Sequence, residues 1–222
     1  MQNTPTVACE FCDELSGASD SRFQRIYGQD LLDRTVFESD SLVAWPTIGQ
    51  LFPKSILILP RRHVERFADL GSVELDEFSS IAERVRAGCG TPGNYLLFEH
   101  GARAFSGTGC GIYHCHVHFV PVPDSLSVAS LFPFAYHSHD SLLDAWSFHE
   151  KGNNYIVLRD TFGEIASIGQ EVMSMHNIGS QYVRRKLVEI FGVQRPWDWR
   201  EYESPEQDLL SAYRELRFAD VS

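Results

Sequence analysis

Basic residues are scarce in this chain: 19 Lys and Arg stand against 30 Asp and Glu, for a formal net charge of −11. That balance argues against broad binding of DNA or RNA, which needs an extended basic surface. A small anionic ligand is not excluded, because a pocket can be locally basic. Lys54, Arg61, Arg62 and Arg103 lie close to the motifs described below. Long apolar runs are also missing; none approaches the ~20 residues that a helix needs to span a bilayer. Neither a nucleic-acid nor a membrane partner is therefore expected. Met1 to Cys12 lack a basic segment followed by an apolar one, so no secretory signal is read and the cytoplasm is the expected location. There are five cysteines. An odd number without an export signal reads as thiols or metal ligands rather than a disulfide framework. Internal repeats are lacking as well: Cys-x-x-Cys and the run of alternating histidines each occur once.

What is present suffices for a core. Hydrophobic residues make up 43% of 222, enough for one large domain or one domain with an elaborate tail. Residues 9–34 read as an irregular entry with one short helix. Residues 35–47 read as a β-hairpin turning near Ser39–Ser41, and residues 55–60 (SILILP) as a buried strand. Residues 62–70 and 73–87 read as helices, the second with Val73, Ile81 and Val85 on one face. Tyr95–Glu99 and His114–Val122 read as strands, joined by a candidate pocket loop. After Pro123, residues 138–149 look helical, 154–160 and 164–169 look like strands, and 179–191 form the best helix of the tail. Ser180 is its expected N-cap and Gly192 follows its last turn. On that helix Tyr182, Leu187 and Ile190 are expected in the core, with Arg184, Arg185 and Lys186 on a solvated face. His137, His139, His149 and His176 read as structural or surface residues.

The central signal is His114-Cys115-His116-Val117-His118-Phe119. Side chains on a strand alternate faces, so the three histidines share one face, starting about 6.6 Å apart. A histidine near its usual pKa of about 6.5 offers a neutral nucleophile at pH 7. By themselves, three alternating histidines also fit a metal site or a half-exposed strand. Cys9 and Cys12 are spaced so that two thiolates can chelate one ion. A redox pair is the rival, but no βαβ pattern follows, and a closed tetrahedral site needs two more ligands.

The sequence resembles the histidine-triad (HIT) superfamily. Four stretches carry the resemblance between Cys9 and Pro123: Cys9-Glu10-Phe11-Cys12, Ile56 to His63 (ILILPRRH), Glu99-His100-Gly101, and the triad. The resemblance implies an α+β fold with a five-stranded antiparallel sheet and helices, and a phosphate pocket over the histidine face. It implies a covalent nucleotidyl-histidine intermediate on His116, with His118 touching phosphate oxygens or the leaving group. It also implies a structural Zn2+ held by Cys9, Cys12, His63 and His114. Thr47, Glu99, Gly109, Cys110 and Gly111 are the candidate substrate contacts, the glycines because they permit close backbone approach. On this reading residues 1–123 form the catalytic domain with its zinc site. Residues 124–222 form an α/β extension packed on the same domain, and a homodimer is expected.

The chain departs from the family in places. Thr47 stands where an acid usually meets the ribose hydroxyls, and Ser55 replaces a common histidine. Gly109-Cys110-Gly111 replaces the usual Gly-Gln-Ser. The run Phe98-Glu99 followed by Gly109-Cys110 is similar to the galactose-phosphate uridylyltransferase branch, which has glutamine where this chain keeps His118. Three functions follow as expectations. The first is a nucleotidyl hydrolase that cleaves a phosphoanhydride or phosphoramidate of a small nucleotide-like substrate. The second is a nucleotidyltransferase or phosphorylase using the same intermediate. The third is a non-catalytic nucleotide-binding protein.

Overall fold

The computed structural model describes residues 9–90, 94–104 and 111–217. Two short helices open it, α1 (Glu10–Leu15) and α2 (Arg22–Tyr27). The hairpin β1 (Phe37–Glu38) and β2 (Leu42–Pro46) leads to β3 (Ile56–Pro60), α3 (Ser72–Cys89), β4 (Tyr95–Gly101) and β5 (Val117–Pro121). Then come α4 (Val128–Leu131), β6 (His137–His139), α5 (Leu142–Phe148), β7 (Tyr155–Arg159) and β8 (Ile165–Gly169). The helices α6 (Gln170–Met175), α7 (Tyr182–Phe191) and α8 (Gln207–Arg217) complete it. The α+β class is as expected, but the sheet has eight strands, not five, in the order β1-β2-β3-β5-β4-β7-β8-β6. Every pairing is antiparallel. The first five strands are those of the expected sheet. The other three come from residues 124–222, and β7 pairs directly with β4 from Leu97↔Arg159 to Gly101↔Tyr155. Among the described residues no helix is long and apolar enough to cross a membrane.

Both faces of the sheet are covered, which is why β2, β3 and β7 are buried almost continuously. On one face Ala44, Ile56, Ile58, Val117 and Phe119 pack against Phe78, Ile81 and Val85 of α3 and Trp146 of α5. Burying such side chains contributes about 1.5–3 kcal/mol each. The other face holds two separate clusters. Near the N-terminus Phe11 packs with Val43, Trp45, Leu57 and Leu59. Further along, Leu96, Phe98, Ile156 and Leu158 pack with Val183 and Leu187 of α7. The candidate site lies on this face.

The helix expected over 138–149 is instead strand β6 followed by α5, and three further local expectations fail for visible reasons. Val73 is 67% exposed, because α3 turns Phe78, Ile81, Val85 and Cys89 inward and leaves Val73 in a solvent-facing first turn. Residues 62–70 contain only a 3₁₀ turn, Phe67–Asp69. Ahead of it Arg66 is extended (φ −144°, ψ 143°), and its guanidinium donates to the carbonyls of Gly152 (2.6 Å) and Asn153 (2.9 Å). The backbone of α7 starts from Gln181, which has a left-handed φ of 56°, rather than from Ser180. Its closing Gly192 is left-handed as expected (φ 61°).

Candidate active site and metal centre

Strand β5 begins only at Val117, so His114 and His116 lie just before it. Two bonds divert the chain there: the Cys115 amide donates to the Val64 carbonyl (2.6 Å), and the His114 ring bonds the Pro60 carbonyl. The backbone stays extended enough to keep His116 and His118 together, with ring centroids 5.0 Å apart. His114 turns away from them toward α1.

There it joins Cys9, Cys12 and His63, whose ligand atoms all lie within 4.8 Å of one another. Cys12 Sγ is 3.4 Å from His63 Nδ1 and 3.6 Å from His114 Nδ1, and Cys9 Sγ is 3.6 Å from His114 Nδ1. With metal–sulfur and metal–nitrogen bonds of about 2.3 and 2.05 Å, a tetrahedral site has S···N edges of about 3.6 Å. The donor set and its spacing therefore fit one tetrahedral ion. His114 Nε2 lies 2.7 Å from the Pro60 carbonyl and donates to it, which leaves the Nδ1 lone pair facing the thiols. Burial, then the Cys9 thiol beside it, pushes Cys12 up to about 12, which keeps it a thiol; a bound cation would favour the thiolate.

His116 Nδ1 lies 2.7 Å from the carbonyl of His114. A carbonyl only accepts, so Nδ1 carries the proton and Nε2 carries the free lone pair. Burial pushes the His116 pKa down to about 4, keeping the ring neutral at pH 7. His118 stacks on Phe98 at 4.4 Å, and burial holds its pKa well below the usual value. Phe11 touches the edges of both His114 (5.8 Å) and His116 (5.3 Å), so it links the Cys/His cluster to the second histidine.

His116 and His118 line an open cleft. One wall is α1, the other the start of α7, and Thr47, Ile48, His100 and Ile112 lie between. Thr47 is buried, and its Oγ1 has no hydrogen-bond partner. The same holds for Gln181 Oε1 and for both ring nitrogens of His100. Burial pushes the His100 pKa down to about 4. Gly111 has a left-handed φ of 93°, a conformation that suits glycine. Gly109 and Cys110 lie outside the described residues.

Glu99 corrects the sequence reading. It points to the face of β4 opposite Phe98 and His100 and does not line the cleft. Its carboxylate accepts from the Phe67 amide (2.8 Å), Trp146 Nε1 (2.8 Å) and the Tyr155 hydroxyl (2.7 Å). Full burial raises its pKa to about 7 against those three donors. Gly101 belongs to the same device: a Cβ there would come within 2.4 Å of the Tyr155 ring. Glu99 and Gly101 therefore join β4 to β7 and α5.

The basic residues singled out from sequence do not line the cleft either. Lys54 pairs with Glu215 (2.8 Å), Arg61 with Glu38, Arg62 with Glu74 (2.6 Å) and Arg103 with Asp69 (3.2 Å). The cleft's cations are Arg22, Arg34 and Arg184. Arg34 is held by a two-pronged pair to Glu14 (2.6 and 2.8 Å). Arg184, expected on a solvated face, is only 5% exposed. Conversely Ile190, expected in the core, is 41% exposed. The spacing of Val183 and Leu187 was the available signal: Arg184 shares their face, three residues before Leu187.

Fold and site together describe an α+β protein with histidines over a cleft beside a Cys2His2 cluster. Its structure is similar to solved histidine-triad proteins. One is a HIT family hydrolase from Legionella pneumophila Philadelphia 1, with 22% identity, 55% of this chain and 98% of that one covered, and a TM-score of 0.39. Another is a zinc-bound histidine triad family protein from Mycobacterium smegmatis, with 15% identity, 65% and 91% covered, and a TM-score of 0.39. A third is a histidine triad protein from Clostridium difficile, with 18% identity, 57% and 98% covered, and a TM-score of 0.39. No protein-family model matches the sequence.

Proposed function

We propose that the protein is a nucleotidyl hydrolase in which His116 Nε2 attacks the phosphorus of a small nucleotide-like phosphoanhydride or phosphoramidate. The observation that carries this reading is the 2.7 Å bond between His116 Nδ1 and the His114 carbonyl, which aims an unprotonated nitrogen into the cleft. In the first step a P–N bond forms as the bond from phosphorus to the leaving oxygen or nitrogen breaks. The leaving group departs with the bond's electrons and takes up a proton. His118 is proposed to contact a phosphate oxygen or that leaving group. In the second step water attacks phosphorus, the P–N bond breaks, and a nucleoside monophosphate is released with His116 neutral again. Thr47 is proposed to offer one hydrogen bond to the nucleoside, a weaker grip on a ribose than a carboxylate has. Gly111, with Gly109 and Cys110, is proposed to approach the phosphate through backbone amides.

Zinc is the ion proposed for Cys9, Cys12, His63 and His114. Four protein ligands would leave no open position, so its chemistry there would be structural: it would fix α1, and with it Phe11, against the histidine strand. Replacing His116 tests the mechanism. His116→Ala should lower turnover of an α-phosphoryl-radiolabelled nucleoside phosphoramidate or dinucleoside polyphosphate by several orders of magnitude and change substrate affinity little. Quenched wild-type protein should carry label that survives alkali and is lost in acid. Near-normal turnover by folded His116→Ala protein would overturn the reading.

A further inference from the structure

The C-terminal extension contributes to the cleft a charge that no described residue neutralises at contact distance. Arg184, on α7, lines the cleft with His116 and His118. Its Nε donates to the Trp197 carbonyl (2.7 Å) and one Nη to the Gly49 carbonyl (2.7 Å). Those bonds lock the side chain in place but carry no negative charge. Among the described residues Arg184 has no ion pair. Two carboxylates act on it from further away, and both are engaged elsewhere. Asp198 binds Arg200 (2.7 Å) and Gln181 (3.0 Å), while Glu206 accepts from the amides of Gly49 (2.6 Å) and Gln50 (3.2 Å). Burial pulls the Arg184 pKa down to about 10, which still leaves it charged at neutral pH.

A second cation repeats the pattern. Arg22, on α2, lines the same cleft and also has no ion pair among the described residues. One Nη donates to the carbonyls of Arg200 (2.7 Å) and Tyr202 (2.7 Å), and its Nε is buried without a partner. Buried charges are ordinarily paired, and buried donors are ordinarily bonded. Both guanidiniums are held by backbone carbonyls at one cleft. Glu10 and Glu14 line it too, but Glu14 is paired with Arg34 (2.6 Å) and Glu10 accepts from the Arg22 amide (3.0 Å), not from its guanidinium.

We infer that Arg184, supported by Arg22, forms a fixed cationic subsite that binds an anionic phosphoryl group of the substrate, so that residues 124–222 supply part of the binding machinery. The inference deepens the nucleotide reading above and rests on it for the phosphate. It narrows the substrate class to molecules carrying a negatively charged phosphoryl group at the cleft, and disfavours neutral phosphate triesters and free nucleosides. A guanidinium suits this role because its planar fork can give two parallel hydrogen bonds to one phosphate.

Binding, not turnover, tests it. AMP and uncharged adenosine are titrated calorimetrically into wild-type protein and Arg184→Met. AMP affinity should fall about 10- to 100-fold in the variant while adenosine affinity stays within about twofold. Arg184→Lys, which keeps the charge and loses the fork, should fall between. Arg184→Gln can keep one carbonyl bond and serves if the methionine variant does not fold. If Arg184 is only a strut between α7 and the loops at Gly49 and Trp197, AMP and adenosine will weaken together. That outcome, an unchanged AMP affinity, or no AMP binding by the wild type would each overturn the inference. The result is separable from the mechanism at His116. A protein that forms no phosphorus–nitrogen bond can still bind AMP through Arg184, and one that forms the bond can do so without it.

Discussion

The cleft has two walls made by different physics. The N-terminal wall, α1, buries only Phe11 fully among its six residues; polar groups hold its ends, with Cys9 and Cys12 beside His63 and His114 and Glu14 paired with Arg34. The C-terminal wall, α7, buries Tyr182, Val183, Arg184 and Leu187 against the Leu96, Phe98, Ile156 and Leu158 cluster. One wall is tied down by a few directional donors, the other by distributed apolar contact. The first kind leaves compact marks in a sequence, and the second leaves only a phase.

The contrast can be broken from either side. The largest effect is expected from Leu187→Ala, which empties a fully buried position and should cost about 2–5 kcal/mol in chemical unfolding. Chelator should not change that loss. Cys12→Ser should cost about 2–3 kcal/mol, roughly 4–12 °C in Tm for a chain of this size. Chelator added to the wild type should reproduce that fall and add nothing to the variant. Equal sensitivity of both walls to chelator would erase the distinction.

A smaller effect is expected away from both walls. His149 follows α5, is buried, and lies with Nε2 2.8 Å from Ser167 Oγ. Burial first, then the nearby His139, pushes its pKa from 6.5 down to about 4. A lowered histidine pKa means that the unfolded chain binds more protons between those values. Its contribution to stability is therefore complete above about pH 6.5 and is lost as pH falls toward 4. The slope is about 1.4 kcal/mol per pH unit at most. The difference in stability between wild type and His149→Gln should follow that slope; a flat difference would show that His149 titrates normally. The smallest effect is expected from Ile190→Gln, on the exposed side of α7, which should stay within about 0.5 kcal/mol of wild type.

Sequence reading served best where chemistry is local or period-two. Cys9 and Cys12 share one turn, and His63 and His114 converge on them because both lie at the C-terminal end of strand β3, His63 three residues after Pro60 and His114 bonded to the Pro60 carbonyl. The first five strands followed from alternation and short apolar runs. The last three were partly legible: β7 and β8 could be read as strands, but their addition to β4 could not, because nothing local announces a pairing partner 58 residues away. Arg184 was misread because Arg184-Arg185-Lys186 looks like a solvated run. Its burial depends on the carbonyl of Gly49, 135 residues distant. Glu99 was misplaced although parity could have told: it is out of phase with Phe98 and His100, the β4 residues that line the cleft.

The pairing of β4 with β7 also has a consequence in time. Residues 95–101 leave the ribosome well before residues 155–159, which complete the hydrogen bonding of their second edge. At synthesis rates of about 5–20 residues per second the gap lasts several seconds. During it the nascent chain presents an unpaired, largely apolar strand edge, the kind of surface on which chains join one another. Crowding on a single message would bring neighbouring copies of that edge together. Yield of soluble protein should therefore depend on how quickly the stretch between β4 and β7 is translated: slow codons placed there would lengthen the exposure, and fast ones would shorten it.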